Sequence, residues 1–451
     1  MRSGSRSEGD PGAAGLEVRT VPIADPGDLA GQLPGPGALA WMHGGEGLIG
    51  WGEAARVTLP AGQDRFTAAD KWLREALDGA RIDDEVGAPG CGPVAFGSFT
   101  FDPASDGSVL VLPRLVLGRR GGQAWLTTIS GPGGGEPGGW PPLGVQRRPG
   151  AGGAAGGPPG KQRGGSSPRN NTAPGEIRWH DGSLSAPEWE RAVAAAVARI
   201  KAGALRKVVL ARDLYASAAA PIDDRLLLGR LAARYPECYT FACAGLAGAT
   251  PELLIKRQGW EVSSLVLAGT APRGQDAAHD AALGAALLAS AKEAEEHEYA
   301  AASVRDALAP LCDRLTVAER PALLKFANLQ HLATTVSGTL SAREASGAGH
   351  SVLSLLTALH PSAAVCGTPT ELAMELIREL EGMDRGRYAG PVGWVDSAGN
   401  GEWGIALRCA ELDGARARLF AGGGIVADSD PAAELAETVT KFRVMRFALE
   451  A

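Results

Sequence analysis

The stretch ALRKVVLARDLYA, residues 204–216, predicts a strand from which the rest of the fold can be built outward. Its short run of apolar and β-branched residues is typical of a buried strand. Side chains alternate across a strand, so Lys207 should point to the same side as Val209 and Ala211. A buried lysine is costly unless it is paired or neutral. Taken alone, the pattern therefore favours a lysine at the strand edge whose amine reaches water.

Strand and helix patterns are interspersed on both sides of this stretch. ALAWMHGGEGLIGWG, residues 38–52, predicts a hairpin, and the alanine-rich segment from Asp276 to Leu308 predicts one long helix. DPAAELAETVTKFRVMRFAL, residues 430–449, predicts a closing helix whose first turn contains proline. Because no regular strand–helix–strand rhythm is present, an α+β fold is favoured over a doubly wound sheet.

Composition divides the chain into four parts. Residues 1–15 and the Gly/Pro-rich residues 130–174 are predicted to be disordered, because they contain too few apolar side chains for a packed core. Residues 16–129 form an N-terminal α+β part. Residues 175–451 form the larger ordered part, which carries the candidate site.

Charge and hydropathy exclude several classes of function. The chain has 451 residues and a net charge of -7, and no basic stripe suggests a nucleic-acid partner. No apolar run reaches the roughly 18 residues that a membrane helix needs, and the N-terminus lacks the apolar core of a signal peptide. The six cysteines form no CxxC pair and are expected to be free thiols. A soluble cytoplasmic protein is predicted.

The closing helix carries a candidate anion and metal site. Glu434, Glu437 and Lys441 share one face, and the glycine-rich AGGGIV, residues 421–426, precedes the helix. Free backbone N–H groups at a glycine-rich turn and a helix N-terminus suit a carboxylate, and nearby glutamates could bridge it to Mg²⁺. The buried stripe of this helix is predicted to comprise Leu435, Val439, Phe442, Met445 and Leu449.

Two further acidic features are weak by themselves. KEAEEHEY, in the predicted long helix, places Glu293 and Glu296 one turn apart, which alone indicates only a charged face. ATPELLI places Glu252 at the start of an apolar strand, where a single acid is usually an edge residue.

These features lie in motifs that resemble, in order and spacing, the chorismate-utilising enzymes. The similar motifs extend from about residue 185 to the C-terminus, and the N-terminal hairpin is similar to that of family members that form isochorismate. The motifs are KVVLAR, TPELL, LAGTAPRG, HLATTVSGTL, LHPSAAVCGTP, YAGPVGW, ALRCAEL, AGGGIV and SDPAAELAETVTKF.

The resemblance implies a large antiparallel two-sheet layered fold flanked by helices, as in anthranilate synthase component I. It implies that Lys207 is the general base and Glu252 the general acid. Chorismate, the implied substrate, would contact Ala268, Gly269, Thr270, His331, Tyr388, Arg408, Gly422, Gly423, Gly424 and Lys441. The implied cofactor is Mg²⁺, held by Glu296 and Glu437 with Glu434 beside it. Glu293 and Glu295 remain alternatives to Glu296, because KEAEEHE departs from the family's usual motif.

The reaction is indicated by two positions within those motifs. Members that use water have a lysine where Lys207 stands, and members whose lysine attacks the ring have that lysine where Ala268 stands. The resemblance therefore implies attack of water at C2 of chorismate with loss of the C4 hydroxyl, which gives isochorismate. Further elimination of pyruvate to give salicylate remains an alternative. A monomer is implied, serving menaquinone, siderophore or salicylate synthesis.

Overall fold

The computed structural model describes residues 15–131, 174–327, 329–341 and 351–451. Except for boundary residues, the two segments predicted to be disordered lie outside these ranges. The described helices are α1 Arg65–Ala76, α2 Ala186–Lys201, α3 Asp224–Arg234, α4 Ala277–Ala289, α5 Ala291–Leu308, α6 Val352–Leu359, α7 Thr370–Leu380 and α8 Pro431–Glu450.

Strands account for most of the remaining ordered chain. They are β1 Glu17–Pro22, β2 Leu39–His43, β3 Glu46–Trp51, β4 Ala55–Leu59, β5 Arg81–Asp84, β6 Val94–Ser98, β7 Ser108–Leu112, β8 Leu115–Arg120, β9 Gln123–Ser130, β10 Ile177–Asp181, β11 Lys207–Ala218, β12 Tyr239–Cys243, β13 Leu246–Thr250, β14 Leu253–Gln258, β15 Glu261–Pro272, β16 Cys312–Val317, β17 Ala322–Lys325, β18 Leu329–Leu340, β19 Gly367–Thr368, β20 Pro391–Asp396, β21 Gly401–Ile405, β22 Cys409–Asp413 and β23 Arg416–Ile425.

The strands form two large sheets, which confirms the predicted α+β class. The first sheet has 13 strands in the order β10-β11-β23-β22-β13-β12-β2-β3-β8-β9-β1-β5, with β19 beside β11. The second has 10 strands in the order β16-β18-β15-β14-β21-β20-β6-β7-β4, with β17 beside β18. Among the described strands only β1 and β5 pair in parallel. Both sheets mix strands from residues 16–129 and 175–451, since β2 pairs with β12 and β6 pairs with β20.

The main core lies between the two sheets. Its largest buried side chains are aromatic, and Trp41 of the first sheet donates its indole N–H to Glu402 of the second at 3.0 Å. Burial of a large apolar side chain contributes about 1.5–3 kcal/mol, so these rings dominate the packing between the sheets. The described residues include no helix long and apolar enough to cross a membrane. All six cysteines are free, as predicted.

The predicted long helix from Asp276 to Leu308 is wrong as a single element. The chain leaves helical geometry at Ser290, whose ψ of 116° is extended. The Ser290 hydroxyl accepts a hydrogen bond from Glu293 N at 3.3 Å, so this residue ends α4 and caps α5. A serine side chain can hydrogen-bond to nearby backbone groups in place of the helical bonds. Serine is therefore favoured at the cap of a helix rather than in its interior.

The predicted buried stripe of α8 is also partly wrong. Val439 is 46% exposed and Leu435 is only partly buried, whereas Glu434, Thr438 and Lys441 lie on the buried face. Phe442, Met445 and Leu449 are buried as predicted. The helix turns polar side chains inward near its N-terminus because that end borders a cleft.

Lys207 lies in the interior of the first sheet, which excludes the strand-edge position. Its side chain has 0% exposure. At this end of β11, the strand pairs with β23 on one side and with β19 on the other. The amine therefore has no path to bulk water along the sheet edge.

Candidate active site

A cleft with an empty volume of about 650 Å³, part of it open to solvent, lies between β11, β23, β15 and α8. A pocket of this size accommodates a small organic molecule. It brings together every predicted site residue except Lys207 and Glu434, which lie just behind its wall. The predicted residues that line it are Glu252, Ala268, Gly269, Thr270, Glu296, His331, Tyr388, Arg408, Gly422, Gly423, Gly424, Glu437 and Lys441.

Lys207 reaches this cleft from the start of β11. Its Nζ lies 3.3 Å from Glu296 Oε1 and 3.4 Å from the Glu296 carbonyl oxygen. Gly424 stands opposite on β23, and a Cβ there would lie 1.9 Å from Glu296 Oε1 and 3.0 Å from Lys207 Cε. Glycine at this position therefore lets the lysine and the glutamate meet at the cleft wall.

Glu252 lies immediately before β14 and is only 4% exposed. Burial raises the pKa of this carboxyl to about 8, although the charges of Lys207 and Arg408 oppose the rise. The group is therefore protonated at neutral pH, as donation of a proton to a leaving group requires.

Three glutamates face Gly423 and Gly424 of β23, which together with Gly422 form the glycine strip. They are Glu296 of α5 and Glu434 and Glu437 of α8. Each has a lysine partner: Lys207 contacts Glu296, Lys292 Nζ lies 2.9 Å from Glu434 Oε1, and Lys441 bonds Glu437. Burial and the nearby charge of Glu437 raise the pKa of Glu434. Burial also acts to raise the pKa of Glu437, but Lys441 outweighs it and holds that pKa below its usual value.

This donor set fits a hard divalent cation in chemistry. Carboxylate oxygens are the ligands that Mg²⁺ prefers. Burial and the nearby charge of Glu437 both raise the pKa of Glu434, and a cation would relieve the repulsion between these two acids. Within the described ranges, however, no group of three or more His, Cys, Asp or Glu side chains is already clustered closely enough to hold a metal.

The two alternative acids of α5 occupy different positions. Glu295 is exposed and accepts a hydrogen bond from the Tyr299 hydroxyl at 2.7 Å, away from the cleft. Glu293 faces the cleft side, where its Oε2 accepts a bond from Thr270 N at 3.1 Å. Burial, with the neighbouring Glu296, raises the pKa of Glu293. Glu296 is the α5 acid that lines the cleft.

The other end of the cleft suits an anionic substrate. Arg408 has a left-handed φ of 47°, and its guanidinium has no hydrogen bond or ion pair with any described residue. Tyr388 is buried and stacks on Phe420 at a centroid distance of 4.9 Å. A half-buried, unpaired guanidinium is suited to bind a carboxylate, with charge-assisted hydrogen bonds.

His331 is a neutral group in this cleft. Burial, with Arg408 and Lys441 nearby, lowers its pKa to about 3. Its Nδ1 lies 3.1 Å from Thr270 Oγ1 and 3.2 Å from the Gly269 carbonyl oxygen, which fixes the ring against β15. His331 can therefore contribute a hydrogen bond but no charge at neutral pH.

Some cleft residues were missed by sequence reasoning. Val209 could have been found, because strand alternation puts it on the side of Lys207. Ala389, with a left-handed φ of 61°, lies within the YAGPVGW motif and Arg385 stands just before it, but neither carries a pattern that predicts its place in the cleft. The remaining unpredicted lining residues are Pro251, Leu267, Ala364, Val365 and Leu407.

A buried lysine and a protonated glutamic acid lie beside a carboxylate-lined cleft in a two-sheet α+β fold, an arrangement suited to acid–base chemistry. Residues 162–450 match the family model described as chorismate binding enzyme, and the chain belongs to that family.

Curated relatives are similar over more than half of the chain. Isochorismate synthase DhbC of Bacillus subtilis (strain 168) is 42% identical over 283 residues, which are 60% of this chain and 70% of the relative. A putative isochorismate synthase MenF of Mycobacterium tuberculosis (strain CDC 1551 / Oshkosh) is 46% identical over 260 residues, which are 55% of this chain and 68% of the relative.

Solved structures extend the similarity to nearly the whole fold. The crystal structure of a putative 2,3-dihydroxybenzoate-specific isochorismate synthase, DhbC from Bacillus anthracis, has a TM-score of 0.72 and 29% identity, covering 94% of this chain and 98% of that one. Anthranilate synthase component I from Streptococcus pneumoniae TIGR4 has a TM-score of 0.66 at 18% identity, covering 88% and 91%. The latter similarity confirms the predicted fold.

Proposed function

We propose that this protein is an isochorismate synthase, an isomerase that converts chorismate to isochorismate. One observation carries the proposal: the buried Lys207–Glu296 pair and the protonated Glu252 lie at the same cleft. Membership of the chorismate binding family and the names of the relatives support the choice of substrate and product.

Lys207 and Glu252 divide the proton transfers. Lys207, as the neutral amine, removes a proton from water, and the resulting hydroxyl forms a bond to C2 of the ring. The ring double bonds shift, and the C4–O bond breaks. Glu252 donates its proton to the departing oxygen, so that one water is added and one is lost. Burial supports the role of Glu252, because it raises the pKa of that carboxyl and so favours its protonated form.

The remaining residues bind the substrate's two carboxylates and exclude other nucleophiles. Arg408 and Tyr388 would hold one carboxylate, and the backbone N–H groups of residues 422–424 would face the other. Thr270, His331 and Lys441 would orient the ring through hydrogen bonds. Ala268 and Gly269 supply no amine, so no amine of β15 competes with water for the ring.

Glu296 and Glu437 would hold Mg²⁺, with Glu434 beside it. When bound, the ion supplies positive charge that attracts a substrate carboxylate and offsets developing negative charge. The three carboxylates facing the glycine strip support this assignment. We also propose that the protein acts as a cytoplasmic monomer.

Salicylate formation is the less favoured alternative, since the curated relatives compared above are isochorismate synthases by name. The two relatives carry different names, DhbC and MenF, and come from different organisms. We propose menaquinone or siderophore synthesis as the pathway that the product serves.

Incubation of the purified protein with chorismate and Mg²⁺, followed by chromatographic separation of products, tests the proposal. We expect isochorismate, and we expect its formation to stop when EDTA removes the metal. Salicylate with pyruvate would support the alternative. Unchanged chorismate would refute both reactions, provided that a characterised isochorismate synthase is active under the same conditions.

A further inference from the structure

One edge of β11, the strand that carries Lys207, is only partly covered by neighbouring strands. Along its other edge β11 pairs with β23 continuously from Val208 to Ser217. On the incomplete edge, β19 covers only Lys207 and Val208, and β10 covers residues 214–218. Backbone groups between these two short strands therefore need partners that are not strands, because buried N–H and C=O groups are rarely left unpaired.

A buried ion pair, Glu381 with Arg385, fills this gap. Glu381 Oε1 accepts a hydrogen bond from Ala211 N at 2.7 Å, and the Arg385 guanidinium donates to the Val209 carbonyl oxygen at 2.7 Å. An acceptor facing an N–H and a donor facing a C=O reproduce the bonds that a neighbouring strand would make. Cys366 O accepts a further bond, from Val209 N, at 2.7 Å.

The pair is buried and makes its hydrogen bonds within the protein. Glu381 and Arg385 are 2% and 3% exposed. Arg385 Nε donates to Glu381 Oε2 at 2.9 Å, and a terminal nitrogen donates to the Val365 carbonyl oxygen at 2.9 Å. The guanidinium also lies 4.1 Å from the centroid of the Phe101 ring. These bonds engage four of the five N–H donors of the Arg385 guanidinium, so at most one donor is available to a molecule in the cleft.

We propose that Glu381 and Arg385 are positioning residues that hold Lys207 in place by completing the sheet beside it. Val209 and Val365, both bonded to Arg385, line the cleft, and Val209 is two residues from Lys207 on the same face of β11. The main-chain carbonyl oxygen of Arg385 accepts a hydrogen bond from Tyr388 N at 3.1 Å. The pair thereby connects the lysine strand to the tyrosine segment. The proposal rests on the proposed function.

The test replaces the pair by apolar residues of similar volume, Glu381→Leu with Arg385→Met. Exchange of a buried ion pair for apolar side chains is often tolerated in stability. We therefore expect a folded protein whose kcat falls about 10–100-fold, since small misplacement of a catalytic group has effects of that order. KM for chorismate should change by less than about 3-fold. Hydrogen exchange at the Ala211 amide should accelerate.

Arg120→Met is the matched control, because Arg120 pairs with the buried Glu402 at 2.9 Å away from the cleft. It should leave kcat and Ala211 exchange unchanged whatever its effect on stability. Arg385→Lys provides a milder variant if the double variant does not fold. Lysine keeps the charge but cannot bridge the two carbonyls and Glu381, so kcat should still fall.

Unchanged kcat with accelerated exchange at Ala211 would overturn the positioning role while leaving the proposed function intact. A rise in KM at constant kcat would also overturn it, because it would make Arg385 a substrate-binding residue. Absence of isochorismate formation by the wild-type protein would refute the proposed function itself. The exchange measurement separates these failures, since it reports the backbone bond without substrate.

Discussion

Lys207 combines complete burial with an acidic neighbour, Glu296, at 3.3 Å. We expect Lys207→Ala and Lys207→Gln to lower kcat by about 10²–10⁴-fold, the usual contribution of a general base. Chorismate affinity should change much less, because Arg408 lies at the other end of the cleft. Turnover and chorismate binding measured on the same variants check this. Lys201→Ala, an exposed lysine of α2, is the control. Near-normal turnover by Lys207→Ala would remove the base from the mechanism.

Glu252 makes a prediction about stability that needs no substrate. Its pKa is about 8 in the folded protein, against 4.5 as the ordinary value. Between these two pH values the Glu252 carboxyl is ionised in the unfolded chain but protonated in the folded protein. The free energy of unfolding therefore falls as pH rises, by about 1.4 kcal/mol per pH unit at most. Glu252→Gln carries no such group. Its melting temperature should therefore exceed that of the wild type by a margin that grows from pH 5 to pH 8 and then levels.

The control for this measurement is Glu237→Gln, since Glu237 is exposed. Its difference from the wild type should stay flat with pH. A flat difference for Glu252→Gln would mean that the carboxyl is ionised in the folded protein. In catalysis, the same pKa predicts that wild-type turnover declines above about pH 8, as Glu252 loses the proton it must donate.

At the scale of elements, the break between α4 and α5 decides which acids face the cleft. Ser290 caps α5 and sets its start, which places Glu296 at the cleft and Glu295 on the exposed side. The KEAEEHEY motif by itself left these acids as alternatives. A helical pattern shows which residues share a face of the helix, but not which face is directed toward the cleft. The register of α5 against β15 supplies that direction.

This placement predicts different effects for neighbouring glutamates. Glu296→Gln and Glu437→Gln should each lower activity at least 10-fold, and each should sharply raise the Mg²⁺ concentration needed for half-maximal rate, since a neutral amide is a poorer ligand for a hard cation. Calorimetric titration with Mg²⁺ in the presence of chorismate should show weaker binding. Glu295→Gln, one position away, should behave as wild type. The reverse pattern would show that the metal ligands are misassigned.

At the scale of the whole molecule, the two ordered parts share both sheets. The family model matches from residue 162 onward. The earlier strands β2 and β3 nevertheless lie inside the first sheet, and β6 pairs with β20 in the second. Residues 174–451 alone would expose strand edges and the core faces that Trp41 and Phe96 cover in the intact chain. Exposed edges and apolar faces promote aggregation.

We therefore expect residues 174–451, expressed alone, to be insoluble or inactive, and co-expression with residues 15–131 to restore soluble, active protein. Solubility and turnover of the two preparations, measured beside the intact chain, check the prediction. A soluble fragment with wild-type turnover would instead establish residues 174–451 as an independent catalytic domain.

The amino-acid sequence by itself determined the α+β class, most strand positions and the free thiols, and it named most of the predicted residues that the structure brings together at one cleft. These follow from short-range periodicity, capping chemistry and motif order, which any reader of the sequence can recognise. The resemblance extended them to a family, which the matched residues 162–450 confirm.

Only the tertiary structure decided that Lys207 is buried, that Glu252 keeps its proton and that Val439 faces outward. It also revealed Glu381 and Arg385 as substitutes for a missing strand. The physical reason is that burial, pKa and hydrogen-bond completion depend on neighbours far apart in the chain. Strand pairing and sheet packing bring those neighbours together, and no local pattern records them.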